Sequence, residues 1–231
     1  MYFLHLVCVL AISPVVDCFL IHDEGRNSVV ETIGPTNLDL WGPWGRVQYC
    51  AEGTYAAGYE MKIEPKQGNH GDDTALNAIK LVCLSVEGKH FGGTITSTVG
   101  QFGDWGGEIM CPDNTFLKEF ALQVEEDQHH GDDTAANYIK FKCGRMDSER
   151  SSYELANAPG HGFWGVMGAW SRACPTNSAI CGIQTRVEEY QHHGDDTSLN
   201  DVKVFCCKND SGNAINKISH DLTRLFISCL C

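Results

Sequence analysis

The segment Gly71-Asp72-Asp73-Thr74-Ala75-Leu76-Asn77 occurs three times in this chain. It returns as Gly131-Asp132-Asp133-Thr134-Ala135-Ala136-Asn137 and as Gly194-Asp195-Asp196-Thr197-Ser198-Leu199-Asn200, spaced 60 and then 63 residues apart. A repeat of this length is one supersecondary unit. It cannot bury an apolar face alone, so three of them are expected to share one core.

The cysteines keep the same period. Cys50, Cys111 and Cys174 open the three units, and Cys83, Cys143 and Cys206 close them. The simplest pairing by symmetry is one intra-repeat bridge per unit: Cys50–Cys83, Cys111–Cys143 and Cys174–Cys206. Each bridge would close a loop of about 30 residues and stabilise the fold by roughly 3–4 kcal/mol in the chain-entropy model.

The patterning within each unit is that of strands. Tyr55, Ala57, Tyr59, Met61 and Ile63 alternate with polar or small residues, which predicts a half-buried antiparallel strand. Phe116, Phe120, Leu122 and Val124 repeat it, as do Ile183, Thr185 and Val187. A second strand follows each Asp-rich segment: Ile79–Cys83, Ile139–Cys143 and Val202–Cys206. Ser28–Ile33, Thr94–Val99 and Ser152–Leu155 are candidate first strands, and short segments before the opening cysteines supply a fourth. No stretch of the three units carries a helical period. One four-stranded sheet cannot cover its own apolar face, but three can close a triangle. The expected fold is therefore all-β, a β-prism of three four-stranded, Greek-key-like sheets with threefold pseudo-symmetry. A trefoil-like or three-bladed arrangement is the alternative. The segments around Trp41 and Trp44, Trp105 and Trp170 recur at matching places, which puts three indoles near the common axis as a packed layer.

Residues 1–18 read as a secretory signal: Tyr2–Val16 is apolar, N-terminal and too short to span a bilayer. Residues 19–207 then form the prism, with repeats over about 28–90, 91–150 and 151–207, and residues 208–231 are an extension. Twelve cysteines are too many for an ordinary cytosolic domain and indicate a disulfide framework in a secreted, extracellular protein. A formal net charge of −13 with no Lys/Arg cluster argues against nucleic acid and anionic membranes as partners.

Taken together, Trp-Gly-x-Trp, the opening cysteines, Gly-Asp-Asp-Thr-Ala-x-Asn and the final Phe205-Cys206-Cys207 closely resemble the vitelline membrane outer layer protein I family over about residues 28–207. The resemblance implies a β-prism, secretion, and a place in the outer layer of the egg's vitelline membrane. It also implies a fourth disulfide, which maps onto Cys181 and Cys207. The fold class is shared with some plant lectins and an insecticidal toxin domain, so fold alone assigns no activity. The chain departs from the family at its end. Ile215, Ile218, Leu222, Leu225 and Phe226 are spaced for a short amphipathic helix, Cys229 and Cys231 have no partner in the family pattern, and Asn209-Asp210-Ser211 is a glycosylation sequon.

Two readings compete for the repeated loops. Asp72/Asp73, Asp132/Asp133 and Asp195/Asp196 are carboxylate pairs suited to gripping sugar hydroxyls, with Asn77, Asn137 and Asn200 beside them as candidate glycan-binding residues. Equally, Gly-Asp-Asp-Thr is turn chemistry, and symmetry favours that reading: a fold needs its turn three times, whereas an active site is seldom built in triplicate. The asparagines then complete the turn's hydrogen-bond network. His70, His129-His130 and His192-His193 precede the loops, but their spacing matches no metal pattern, and neither metal nor cofactor is expected. Glu60, Glu64, Glu125, Glu126, Glu188 and Glu189 read as a solvated face. No nucleophile or phosphate-loop motif is present, so catalytic residues are not assigned. The expected function is a structural component of an extracellular coat, with other coat proteins, basic ones among them, as partners. The alternative is a carbohydrate-binding protein acting at the Asp-rich loops; if it were an enzyme, the reaction would be glycosyl transfer on chitin-type oligosaccharides.

Overall fold

The structure is a computed structural model, described here for residues 26, 28–34, 41–66, 74–88, 90–125, 135–189 and 197–209. The described residues form, in chain order, β1 (Val29–Ile33), β2 (Gln48–Tyr49), β3 (Thr54–Ile63), β4 (Leu76–Ser85), β5 (Phe91–Thr96), β6 (Asp104–Trp105) and β7 (Ile109–Met110). They continue with β8 (Phe116–Val124), β9 (Ala136–Gly144), β10 (Ser151–Leu155), β11 (Val166–Met167), β12 (Ser178–Val187) and β13 (Leu199–Lys208). Each repeat contributes one long antiparallel hairpin: β3/β4, β8/β9 and β12/β13.

The hairpins seed three sheets, in the orders β5-β4-β3-β6, β10-β9-β8-β11 and β1-β13-β12-β2. The first also carries β7 against β3, making five strands. In the first two sheets three consecutive strands are followed by one that returns beside the first, a Greek key. The third sheet completes the same pattern with the N-terminal strands β1 and β2. Thus the strands expected to begin each unit lie instead on the hairpin before them: β5 on β4, β10 on β9, and β1 on β13 at the far end of the chain. The first and last of the described strands thus pair within one sheet. The main core lies between the sheets, where β3, β8 and β12 contact one another and Tyr59, Leu81, Phe120, Phe141, Ile183 and Val204 are buried.

The long first strands are not half-buried. Ala57, Lys118 and Cys181 are each skipped by the pairing register, one bulge per hairpin at the same place. A bulge switches which parity of residue faces the core. Beyond it, Tyr59 and Met61, Phe120 and Leu122, and Ile183 and Val187 fill the main core. Before it, Tyr55, Phe116 and Ala179 turn to a second, smaller apolar cluster at the pole where these strands begin. The freed bulge carbonyls are used: Ala57, Lys118 and Cys181 accept from the amides of Cys111, Cys174 and Cys50 (2.7, 2.9 and 2.8 Å).

Those contacts place the opening cysteines on the outer edges of the sheets. The bridges Cys50–Cys83, Cys111–Cys143 and Cys174–Cys206 therefore each join a different pair of sheets. The fourth bridge, Cys181–Cys207, crosses β12 and β13 within one sheet.

The tryptophans do not form the expected axial layer, and none belongs to either apolar cluster. Trp44, Trp105 and Trp170 lie half-buried beside the return strands, over the outer faces of the sheets. There Lys203 stands 3.8 Å above Trp44, Lys80 3.9 Å above Trp105 and Lys142 4.3 Å above Trp170. The axis is already filled by hairpin side chains. An indole at a sheet edge is better placed to meet the outward lysines of β4, β9 and β13.

Candidate functional site at the loop end

At the end opposite the pole, each hairpin carries a second bulge. Ile63 pairs with Leu76 but Lys62 with Ala78, which leaves Asn77 as the extra residue. Asn137 and Asn200 occupy the same place in the other two hairpins. The residue two before each asparagine has a left-handed backbone: Ala75 (φ 49), Ala135 (φ 43) and Ser198 (φ 52). Their carbonyls accept from the amides of Glu64, Glu125 and Glu188 at 2.8, 2.8 and 2.7 Å. The backbone that enters and leaves each Asp-rich loop is therefore the same three times.

Side chains lock this geometry. Glu64 Oε2 accepts from the backbone N–H and the hydroxyl of Thr74 (3.0 and 2.7 Å), and Asn77 Nδ2 donates to Thr74 Oγ1 (2.7 Å). Glu188, Thr197 and Asn200 repeat the arrangement. The asparagines also reach the neighbouring loop: Asn77 Oδ1 accepts from the Phe102 amide and Asn137 Oδ1 from the Trp164 amide. Glycine is required where these loops pass. A Cβ on Gly103, at φ +76, would sit 2.3 Å from the Ile63 carbonyl carbon.

Asn77, Asn137 and Asn200 are thus buried and spend their side chains inside the protein. The solvated-face reading of the glutamates is corrected for Glu60 and Glu64, both 7 % exposed. Glu60 pairs with Lys80 at 2.6 Å and Glu64 holds Thr74. The sequence reading missed these anchors. Their signal was a glutamate (Glu64, Glu125, Glu188) recurring at nearly constant distance before each Gly-Asp-Asp-Thr. Asp72, Asp73, Asp132, Asp133, Asp195 and Asp196, with His70, His129, His130, His192, His193 and Glu126, lie outside the described residues, as do the signal segment and residues 210–231.

Between the first and third sheets, at this end, lies a groove of about 440 Å³ lined by Thr98, Val99, Gly100, Gln101, Val187, Glu188 and Glu189. Its floor is tied across the sheets by Thr185 Oγ1 donating to Thr98 O (3.2 Å) and Ser198 Oγ donating to Asn77 Oδ1 (2.8 Å). Backbone polar groups, an exposed Glu189 and an exposed Val99 give it one acidic wall and one apolar one.

At the pole, a second repeated element is met by a different cationic side chain at two of its three copies. The turns Ala51–Thr54, Pro112–Thr115 and Pro175–Ser178 share one geometry, with the last residue's amide and hydroxyl both donating to the first carbonyl. Arg26 Nη1 donates to Thr54 O (2.8 Å) on the first turn, and Lys118 Nζ donates to Ser178 O (2.7 Å) on the third. At the second turn the position equivalent to Lys118 is Ala57, which has no charge to offer. Lys118 is fully buried, and burial lowers its ammonium to about 8 against the pull of Glu149, Asp147 and Glu119.

The model of the family "Vitelline membrane outer layer protein I" matches residues 31–209. This chain belongs to that family. The human vitelline membrane outer layer protein 1 homolog is 39% identical over 187 residues, spanning 80% of this chain and 87% of the relative. The mouse homolog is 37% identical over 187 residues, spanning 81% and 87%. Within this vitelline membrane outer layer fold, the matched stretch begins inside β1 and ends just past β13, the two strands that pair to close the prism. In overall shape the chain is similar to Calystegia sepium agglutinin (TM-score 0.43, 13% identity, 76% of this chain and 95% of that one). It is likewise similar to a mannose-specific jacalin-related lectin from Morus nigra (TM-score 0.43, 16% identity, 80% and 97%). These two likenesses concern shape and do not say what this chain binds.

Proposed function

We propose that this member of the vitelline membrane outer layer family is a secreted structural component of an extracellular coat, as a rigid block whose loop end is its contact face. The observation that carries the reading is the placement of the bridges: each of three joins a different pair of sheets, so the prism is closed covalently as well as by strand pairing. Such closure limits unfolding and hides strand edges from proteases and from other chains. A net charge of −13, with six aspartates in the three repeated segments, suits association with basic coat proteins. The test is sedimentation of the oxidised protein with a basic, lysozyme-type protein, together with immunolocalisation in the tissue that makes it. The expected result is a salt-sensitive complex and staining of an extracellular coat. Absence of any complex at low salt, with staining confined to the cytosol, would overturn the reading.

A second reading, binding of chitin-type oligosaccharides at the Asp-rich loops, is favoured by one observation, the groove beside Glu188 and Glu189. Polar backbone next to an apolar wall is the chemistry that sugar rings use. Titration calorimetry with chito-oligosaccharides decides it: saturable heat lost in Asp195→Ala/Asp196→Ala supports a glycan site, and no heat from folded protein rejects it.

A further inference from the structure

A second cavity lies at the pole, away from the loop end, with most of its lining from the second unit. Its volume is about 320 Å³. Val86, Met146 and Asn209, each three residues past the closing cysteine of its repeat, all face it, so it is built from all three units. Phe116 and Met146 supply an apolar floor. Asn114 and Asn177, left-handed at φ 59 in their turns, supply amides at the wall, and the Arg145–Asp147 ion pair (2.9 Å) completes it. An apolar floor ringed by amides and one charge pair suits a sugar ring, whose faces are apolar and whose edges are polar.

Asn209 itself carries the sequon Asn209-Asp210-Ser211 and leaves β13 at this wall, with its backbone N–H bound to Asn177 O at 2.8 Å. The other two units have Val86 and Met146 at that position, so the modification site is unique to the third repeat and points at a cavity common to all three. The geometry points to an N-linked glycan on Asn209 whose first N-acetylglucosamine seats in the polar cavity over Phe116 and Met146. The covalent tether removes most of the entropy cost of filling so small a site. The bulk of the glycan would then cap the pole and leave the loop end open.

The inference rests on the extracellular reading in one respect, since the modification needs the secretory route. The test therefore supplies that route with a foreign signal peptide in a eukaryotic host, so the chain's own targeting does not enter. Intact mass before and after peptide N-glycosidase reports occupancy of Asn209, and Ser211→Ala should abolish it. After trimming to a single N-acetylglucosamine, proton NMR should show contacts between its acetyl methyl and the Phe116 ring. The trimmed protein should melt about 2–4 °C above Ser211→Ala, a shift of the size that one well-packed contact gives in a chain this long. Three outcomes overturn the proposal: an unmodified Asn209, a modified Asn209 with no contact to Phe116, or contacts from Phe116 to residues of the C-terminal extension in place of the sugar.

Discussion

The two ends of the prism meet the same demand differently. At the loop end the demand is met three times with one solution: a bulged asparagine, a left-handed residue two before it, and a glutamate that receives the loop where the described residues show it. At the pole the backbone also repeats, but Arg26 serves one turn, Lys118 another and Ala57 faces the third, while Cys181 at the equivalent bulge is tied up in an extra bridge. The pole is clamped covalently, since Cys83, Cys143 and Cys206 lie near the first bulges, and a clamped end tolerates varied side chains. The loop end has no bridge among the described residues, so its shape depends on hydrogen bonds that must be right each time.

The comparison can be broken most forcefully at a bridge. Cys111→Ser with Cys143→Ser frees the seam between the first and second sheets. It should cost about 3–4 kcal/mol by the loop-entropy model, measured by denaturant unfolding. If the pole were held by packing alone, the loss would be under about 1 kcal/mol.

Lys118 gives a sharper test, because its effect has a sign in pH. Its folded value is about 8 against an ordinary 10.5, so below pH 8 it is charged in both states and the folded state bears the whole cost of burial. As pH rises from about 8 towards 10.5 the folded protein loses this proton first, the unfolded chain binds more protons, and stability rises. Lys118→Met should remove a rise of up to about 3 kcal/mol across that window, read as the difference between the two proteins' stability curves. Identical pH dependence in both would show that the buried ammonium is fully compensated by Pro175 O and Ser178 O.

Glu64→Ala attacks the loop end. Two donors of Thr74 lose a charged, buried acceptor, which should cost about 1.5–3 kcal/mol. Amide exchange should quicken locally at Thr74 and Ala75 while the pole is unchanged. Exchange that quickens equally at both ends would erase the distinction between them.

The smallest effect belongs to the outer faces. Lys203→Met removes the cation over Trp44 and should cost at most about 0.5–1 kcal/mol, with Trp44 fluorescence altered and the other two sheets silent.

Much of this was legible in the sequence because the repeat states it three times. The three sheets and the pairing of six cysteines followed from the period, but a bridge inside each unit was expected, whereas Cys50, Cys111 and Cys174 dock on the edge of a neighbouring sheet and turn each bridge into a link between sheets. The asparagines could be placed in the loop network because turn chemistry has few alternatives. What escaped was set by register. A single extra residue at Ala57, Lys118 or Cys181 leaves the alternation of the sequence intact while turning the strand from one core to another, so a half-buried strand was expected where both faces are covered. The tryptophans were placed on the axis because aromatic residues bury well, but the segments that carry them, within β6 or next to β2 and β11, run along sheet edges. Glu64 looked like surface because carboxylates usually are; only the hairpin brings Thr74 back to it.

The central claim is that the loop end is the contact face of a closed, rigid block. Amide NMR of the oxidised, isotope-labelled protein titrated with a basic lysozyme-type protein tests it most directly. The account predicts saturating shifts confined to Thr98–Gln101, Val187–Glu189 and the Asp-rich segments, with Asn114, Asn177 and Arg145 at the pole unmoved. Shifts centred on the pole, or none at low salt, would contradict it.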